Sequence, residues 1–306
     1  MKTVSDFLAH VEASLGASPS AINPDRFVRF GRRKSCWAYL FSDMRGGAFG
    51  DWRTGVNGTW SAIDRWAMSA LERANFEQQA QRAARERHAQ QLRQWQINAD
   101  QIARLQAQLV PVVSGDPVAL YLANRGMPDS WRIRPALWVH PGLDYWQDGR
   151  CIGRWPAMVA AIQSLAGKVL ALHRTYLTDT GHKAPVECPK KLTGACDHLL
   201  GAAIQLEPPR DGVLGVAEGI ETAIAAASGS GIPTWSTYCA NALASFQWPA
   251  QIQTLVIYAD ADDAGRVAAE RLRRRASQAG VQALVMEPSV EGTDWADVIY
   301  EKRWAS

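Results

Sequence analysis

Two short apolar runs in the last third of the chain end in acid and then give way to a helical pattern. They are Val213-Leu-Gly-Val-Ala-Glu-Gly-Ile-Glu-Thr-Ala223 and Leu255-Val-Ile-Tyr-Ala-Asp-Ala-Asp-Asp-Ala-Gly265. Strand-loop-helix units of an α/β sheet have this form in sequence, and no other stretch restricts the fold as much. The alternation occurs four times: strand 213–217 before helix 220–227, strand 232–235 before helix 241–246, strand 254–259 before helix 264–278, and strand 282–286 before helix 295–300. Repetition of this kind predicts a parallel-type sheet with helical cover. Ligands of such sheets bind beyond the carboxyl ends of the strands, which is where Glu218, Asp260, Asp262 and Asp263 fall. Carboxylates gathered in one place raise one another's pKa unless a cation sits among them. Hard oxygen donors suit Mg²⁺ (or Mn²⁺), which takes one or two carboxylates, several waters and substrate phosphates.

The chain of 306 residues, 47% of them hydrophobic, has room for two or three modest domains with real cores. A net charge of +3 permits nucleic-acid binding without requiring it. Cys36, Cys151, Cys188, Cys196 and Cys239 form no Cys-x-x-Cys pair and no close Cys/His quartet, which disfavours a disulfide framework and a structural zinc site. No zinc is expected, and a reducing cytoplasm is the expected location. Asp6 and His10 stand where a signal peptide needs its apolar core, and no apolar run approaches about eighteen residues, so a soluble protein without a membrane partner is expected.

Upstream, four segments are expected: 1–61, 62–110, 111–209 and 210–306. Residues 4–16 have the spacing of a short amphipathic helix, and residues 26–60 are short β-like pieces rich in Gly and aromatics. Arg32, Arg33, Lys34 and Trp37 interleave charge with aromatic surface, a combination that stacks bases and neutralises phosphates; strand-edge protection is the alternative reading. Residues 62–108 are polar and almost free of Gly and Pro, a long helix or helical pair serving as a linker. Asp116 and Pro117 open a short helix that Gly126 closes. Strands are expected at 131–140, 157–165, 169–177 and 203–207, the second and third joined in a hairpin at Ala166-Gly-Lys168. Along strand 169–177, Arg174 and His173 lie on opposite faces, both among apolar neighbours. His173 reads as a structural histidine and Arg174 as a nucleotide or phosphate contact. Lys183, Lys190 and Lys191 are either solvated charges or the holders of triphosphate and template backbone.

The carboxy-terminal acids resemble those of the Toprim domain, the fold shared by bacterial-type primases, topoisomerases and some nucleases. Its motif is a glutamate after the first strand and Asp-x-Asp after a later one, matched here by Glu218 and by Asp260 and Asp262. Tyr121-Leu-Ala-Asn-Arg-Gly126 is similar to the Tyr-Leu-x-x-Arg-Gly helix of phage and plasmid primases, and 170–183 to the strand and Gly-x-Lys turn that precede their Toprim domain. The resemblance covers roughly residues 115–300. It implies an α/β fold in which a Toprim-type parallel-rich sheet with helices on both faces follows a mixed α+β lobe, the helical linker and the small β-rich module.

By the same resemblance the chain is a DNA primase of phage, plasmid or integrated-element type, making short RNA primers on a single-stranded DNA template from NTPs. Asp260 and Asp262 would bind Mg²⁺, with Asp263 and Asp294 as further ligands. Glu218 would be a metal ligand or the general base. Asp297 reads equally as a plain helix residue or as another acid near the metals. Primases of this type usually begin with a zinc ribbon; residues 26–60 have that outline but only Cys36 of its ligands. No Gly-x-x-x-x-Gly-Lys-Ser/Thr loop occurs, so a separate replicative helicase is implied. The alternatives are a Toprim nuclease using the same acids to activate water, and a non-catalytic accessory protein that binds single strands. A topoisomerase fits less well, since the chain is short for a strand-passing gate.

Overall fold

The protein, described here as a computed structural model, is defined over residues 4–298 apart from 32–33, 52–53, 55, 128 and 131–135. It divides into two compact units, Met1–Gln94 and Trp95–Ser306. Among the described residues no helix is long and apolar enough to cross a membrane.

In the first unit, helix α1 (Val4–Leu15) precedes an antiparallel meander of β1 (Phe27–Phe30), β2 (Cys36–Leu40), β3 (Gly46–Asp51) and β4 (Asn57–Ser61). Both faces of this sheet are buried, which is why β2 is apolar without a break. On one face Cys36, Ala38 and Leu40 pack with Phe7 and Val11 of α1. On the other, Trp37, Tyr39 and Phe41 pack with Phe76 and Ala83 of α2 (Ala70–Gln106). Trp37, expected to stack bases at the surface, is instead 4% exposed, lies parallel to Phe27 at 5.5 Å and carries the Arg87 guanidinium over its ring at 4.9 Å. The alternation of basic and aromatic residues here reflects a two-sided core with charged margins. Lys34 is exposed, whereas Arg32 and Arg33 lie outside the described residues.

The stretch expected as a helix or helical pair is one helix of 37 residues, and its later part belongs to the second unit. There Ile102 enters a core with Tyr145, Val159, Leu172 and Tyr176, and the Asn98 side chain donates to the Ala195 carbonyl at 2.7 Å. This core lies on one face of a five-stranded antiparallel sheet of β5 (Val110–Pro111), β6 (Leu137–Gln147), β7 (Arg150–Gln163), β8 (Val169–Tyr176) and β9 (Lys190–Leu192), in that spatial order. Helix α3 (Pro117–Asn124) packs in the core on the other face. Asp116 caps it with one carboxylate oxygen accepting from Val118 and Ala119, both at 2.8 Å, and the other accepting from Val113 at 2.6 Å. Asp116→Ala is therefore expected to cost about 1–2 kcal/mol. A thermal melt that is unchanged by it would show that the cap contributes nothing.

The parallel sheet comprises β10 (Val213–Ala217), β11 (Thr234–Ser236), β12 (Thr254–Tyr258) and β13 (Gln282–Met286), in the order β11-β10-β12-β13. Helices α5 (Ala240–Ser245) and α6 (Asp263–Gln278) cover one face, placing Leu243, Ala268 and Leu272 on Leu214, Val216, Leu255 and Ile257. Helix α4 (Ile220–Ser230) covers the other and is itself covered by Met158, Ala160 and Ile162 of β7. Sandwiched between two sheets, α4 is apolar nearly all round, as its run of alanines shows. Residues 203–207, expected as a strand, make only isolated bridges, Ala203 to Gln163 of β7 and Ile204 to Ser236 of β11, and so tie the two sheets together.

Candidate active site

Parallel pairing sets the ends of β10 and β12 side by side, Ala217 opposite Tyr258, so the residues that follow each strand emerge at one edge. Glu218 follows β10 and Asp260 follows β12. The loop after β13 is hydrogen-bonded back to the Asp260 segment, Gly292 N–H donating to Ala261 at 2.7 Å and Ala261 N–H to Thr293 at 3.0 Å, which delivers Asp294. Glu218, Asp260, Asp294 and Asp297 line one cavity of about 340 Å³.

Asp260 bears most of the crowding. Its Oδ1 is buried without a hydrogen-bond partner. Burial, then the charges of Glu218, Asp294 and Asp262, raise its carboxyl from 3.8 to about 7. Glu218 is also raised, by burial and by Asp262, against the backbone N–H of Ala240 at the start of α5, which favours its charge. Asp262 is exposed and caps α6, accepting from Gly265 N–H at 2.7 Å. Asp263, expected as a further metal ligand, points away: its side chain is fully exposed and pairs with Arg266 at 3.3 Å. The two adjacent aspartates thus divide, because the first belongs to the loop and the second to the helix. Asp297, for which the sequence left a plain helix position and a further site acid equally open, reaches the cavity and pairs with Arg125 at 3.8 Å. Its place three residues after Asp294, at the start of helical residues 295–298, was the available signal.

Among the described residues no three His, Cys, Asp or Glu side chains form a ready-made metal cage. An orphaned, buried carboxylate oxygen within a group of acids nevertheless fits a hydrated Mg²⁺ or Mn²⁺, which takes few protein ligands and completes its shell with water and phosphate.

The basic residues of the cavity come from the antiparallel sheet and the segments around it: Lys183, Lys190, Arg125 and the imidazole of His173. Burial and the neighbouring Lys190 lower the pKa of Lys183. Lys190 donates to Oε2 of Glu221 at 2.8 Å, and Tyr121 OH donates to Oε1 of the same carboxylate at 2.7 Å. Lys191 turns the other way, its ammonium 3.5 Å from the centre of the Tyr145 ring and bonded to the Trp146 carbonyl at 2.6 Å.

The same parity separates the two residues of β8. Arg174, opposite Lys191 in register, leaves the cavity for the face that carries Tyr176 and donates to the Leu192 carbonyl at 2.7 Å. His173 faces the cavity instead, 8% exposed, with Nδ1 buried and unbonded. Burial lowers its pKa to about 4, so the ring is neutral at pH 7. Arg174, expected as a phosphate contact, thus lies outside the cavity, and His173, expected to be structural, lines it. Of the other lining residues, Glu221 was not singled out in the sequence and Tyr121 was noted only within its helix motif.

Residues 213–303 match the Toprim domain family, and residues 96–206 match a domain of unknown function, DUF7146. No curated protein matches the chain. Among solved structures, the primase fragment of the bacteriophage T7 primase-helicase protein is 18% identical with a TM-score of 0.41, covering 59% of this chain and 69% of that one. The RNA polymerase domain of Mycobacterium tuberculosis primase DnaG is 16% identical with a TM-score of 0.41, covering 67% and 78%. The zinc-binding and RNA polymerase domains of Aquifex aeolicus primase are 14% identical with a TM-score of 0.33, covering 100% and 85%. These likenesses are remote, and the family model carries the assignment of residues 213–303.

Proposed function

We propose that this chain, whose residues 213–303 match the Toprim domain family, is a DNA primase that makes short RNA primers on single-stranded DNA by metal-dependent nucleotidyl transfer. The observation that carries this is the meeting, in one cavity, of Glu218, Asp260 and Asp294 with Lys183 and Lys190. Carboxylates alone suit a cation; carboxylates facing ammonium groups suit a cation that arrives with phosphate.

Phosphoryl transfer of this kind depends on positioning and charge neutralisation rather than on covalent chemistry by the protein. Asp260, Asp262 and Asp294 would hold Mg²⁺ or Mn²⁺, whose chemistry there would be charge neutralisation of a triphosphate and activation of a 3′-hydroxyl. Lys183 and Lys190 take the triphosphate oxygens. Glu218, tied to the Ala240 N–H, keeps capacity to serve as a further ligand or to accept the hydroxyl proton. His173 offers a neutral ring nitrogen to the bound substrate without adding charge among the ammonium groups. The partners that follow are NTPs, a single-stranded template and a separate helicase, in the cytoplasm of a host carrying a phage, plasmid or integrated element.

Incubation with single-stranded DNA, labelled NTPs and Mg²⁺ is expected to yield short oligoribonucleotides. Cleavage of DNA without NTPs would favour a Toprim nuclease instead. DNA binding with neither reaction would favour an accessory protein.

A further inference from the structure

Glu221 is an acid that the metal site does not use. It is 4% exposed, and both of its oxygens are taken, by Tyr121 and by Lys190. The three residues come from α3, β9 and α4, so this clamp joins the antiparallel sheet's segment to the parallel one. Burial opposes its charge, but the Lys190 ammonium and the Tyr121 hydroxyl outweigh burial and hold the carboxyl well below the usual range. The hydroxyl fixes the orientation of the carboxylate, and that leaves Oε2 for the lysine.

Lys190 has other carboxylates within its field. It lies near enough to Glu218 and Asp260 to favour their charged forms, and its side chain is 39% exposed and flexible. Its hydrogen bond goes to Glu221 all the same. An ammonium without that anchor is drawn to the crowded acids, where it neutralises the charge that a divalent cation needs. An ammonium with three donors can give one to Glu221 and keep two for phosphate oxygens.

We propose that Glu221 is a positioning residue that holds the Lys190 ammonium off Glu218 and Asp260, so that one cavity offers free carboxylates to a divalent cation and an ammonium to a phosphate. This rests on the reading of those acids as a metal site. Lys190 and the acids are then kept apart by a third charge.

The test is Mn²⁺ binding to the full chain, followed by the electron paramagnetic resonance signal of free Mn²⁺, for wild type, Glu221→Gln, Lys190→Met and the double variant. Glu221→Gln is expected to bind about tenfold more weakly, and adding Lys190→Met to restore binding to within about twofold of wild type, a coupling that only interacting residues show. Tyr121→Phe, which keeps both charges and the ring, is expected to weaken binding about two- to threefold and to be relieved by Lys190→Met as well; it carries the test if Glu221→Gln does not fold. Wild-type binding by Glu221→Gln, or a double variant as weak as Glu221→Gln alone, overturns the proposal while leaving the metal site standing. A wild-type protein that binds no Mn²⁺ overturns both.

Discussion

Asp260→Asn is expected to lower Mg²⁺-dependent nucleotidyl transfer by about a thousandfold or more and, in the same protein, to raise the melting temperature. The loss follows from the cavity: Asp260 is the carboxylate on which Glu218, Asp262 and Asp294 all act, and its Oδ1 has no hydrogen-bond partner among the described residues. The gain follows from the same crowding. A carboxyl raised from 3.8 to about 7 by burial and like charge favours its protonated form in the folded state. The contribution of this carboxyl to stability is therefore most favourable below about pH 4, declines as pH rises towards 7, and carries its full penalty above it. Discounted for solvent screening of a half-buried group, a displacement of that size corresponds to about 2–3 kcal/mol at pH 8, or roughly 4–12 °C for a unit of this size, and Asn removes most of it. Calorimetric melts at pH 8 and pH 4 check this: the variant should melt higher at pH 8 and level with wild type at pH 4. Equal melts at pH 8 would mean that the acids do not strain the fold. Cation binding should move in the opposite sense, weakening about tenfold for each pH unit below 7 as Asp260 takes up its proton.

Much of this site could be read before the fold was seen, because its acids are placed by local rules. An apolar run followed by an acid and a helical pattern marks the carboxyl end of a strand, and β10 and β13 occupy the residues expected of them, 213–217 and 282–286. Parallel pairing then brings strand ends together without further information, hence Glu218 and Asp260 in one cavity. The basic side was harder, since it depends on which face of a doubly buried strand meets the cavity. Along β8 both faces are apolar, one against α2 and the other against α4, so the pattern could not say whether His173 or Arg174 points to the acids. Glu221 was hidden for a related reason. In sequence it is an ordinary first-turn acid of α4, and its burial follows from Tyr121, one hundred residues away, and Lys190. Trp37 misled in the opposite direction, because a sheet covered on both sides buries aromatic residues that a one-sided sheet exposes.

Gly265→Ala is expected to disturb the site through backbone alone. A Cβ there would lie 2.5 Å from the Asp260 carbonyl oxygen and 3.1 Å from the Asp260 nitrogen. Neither can rotate aside, as both belong to the main chain of the residue that the cavity depends on. The N–H of Gly265 also donates to the Asp262 cap, so the first turn of α6 cannot retreat without releasing that carboxylate. The expected cost is about 1–3 kcal/mol of stability, with nucleotidyl transfer falling about a hundredfold through misplacement of Asp260. Gly280→Ala supplies the comparison: Gly280 has φ of +77° and nothing within 4 Å of the added carbon, so the change costs backbone strain of about 1 kcal/mol far from any acid of the cavity. Melting temperature and Mn²⁺ binding, measured together, separate the two. Both variants should melt lower, and only Gly265→Ala should lose Mn²⁺; if it binds Mn²⁺ as well as Gly280→Ala does, the close contact between α6 and Asp260 is not what places the carboxylate.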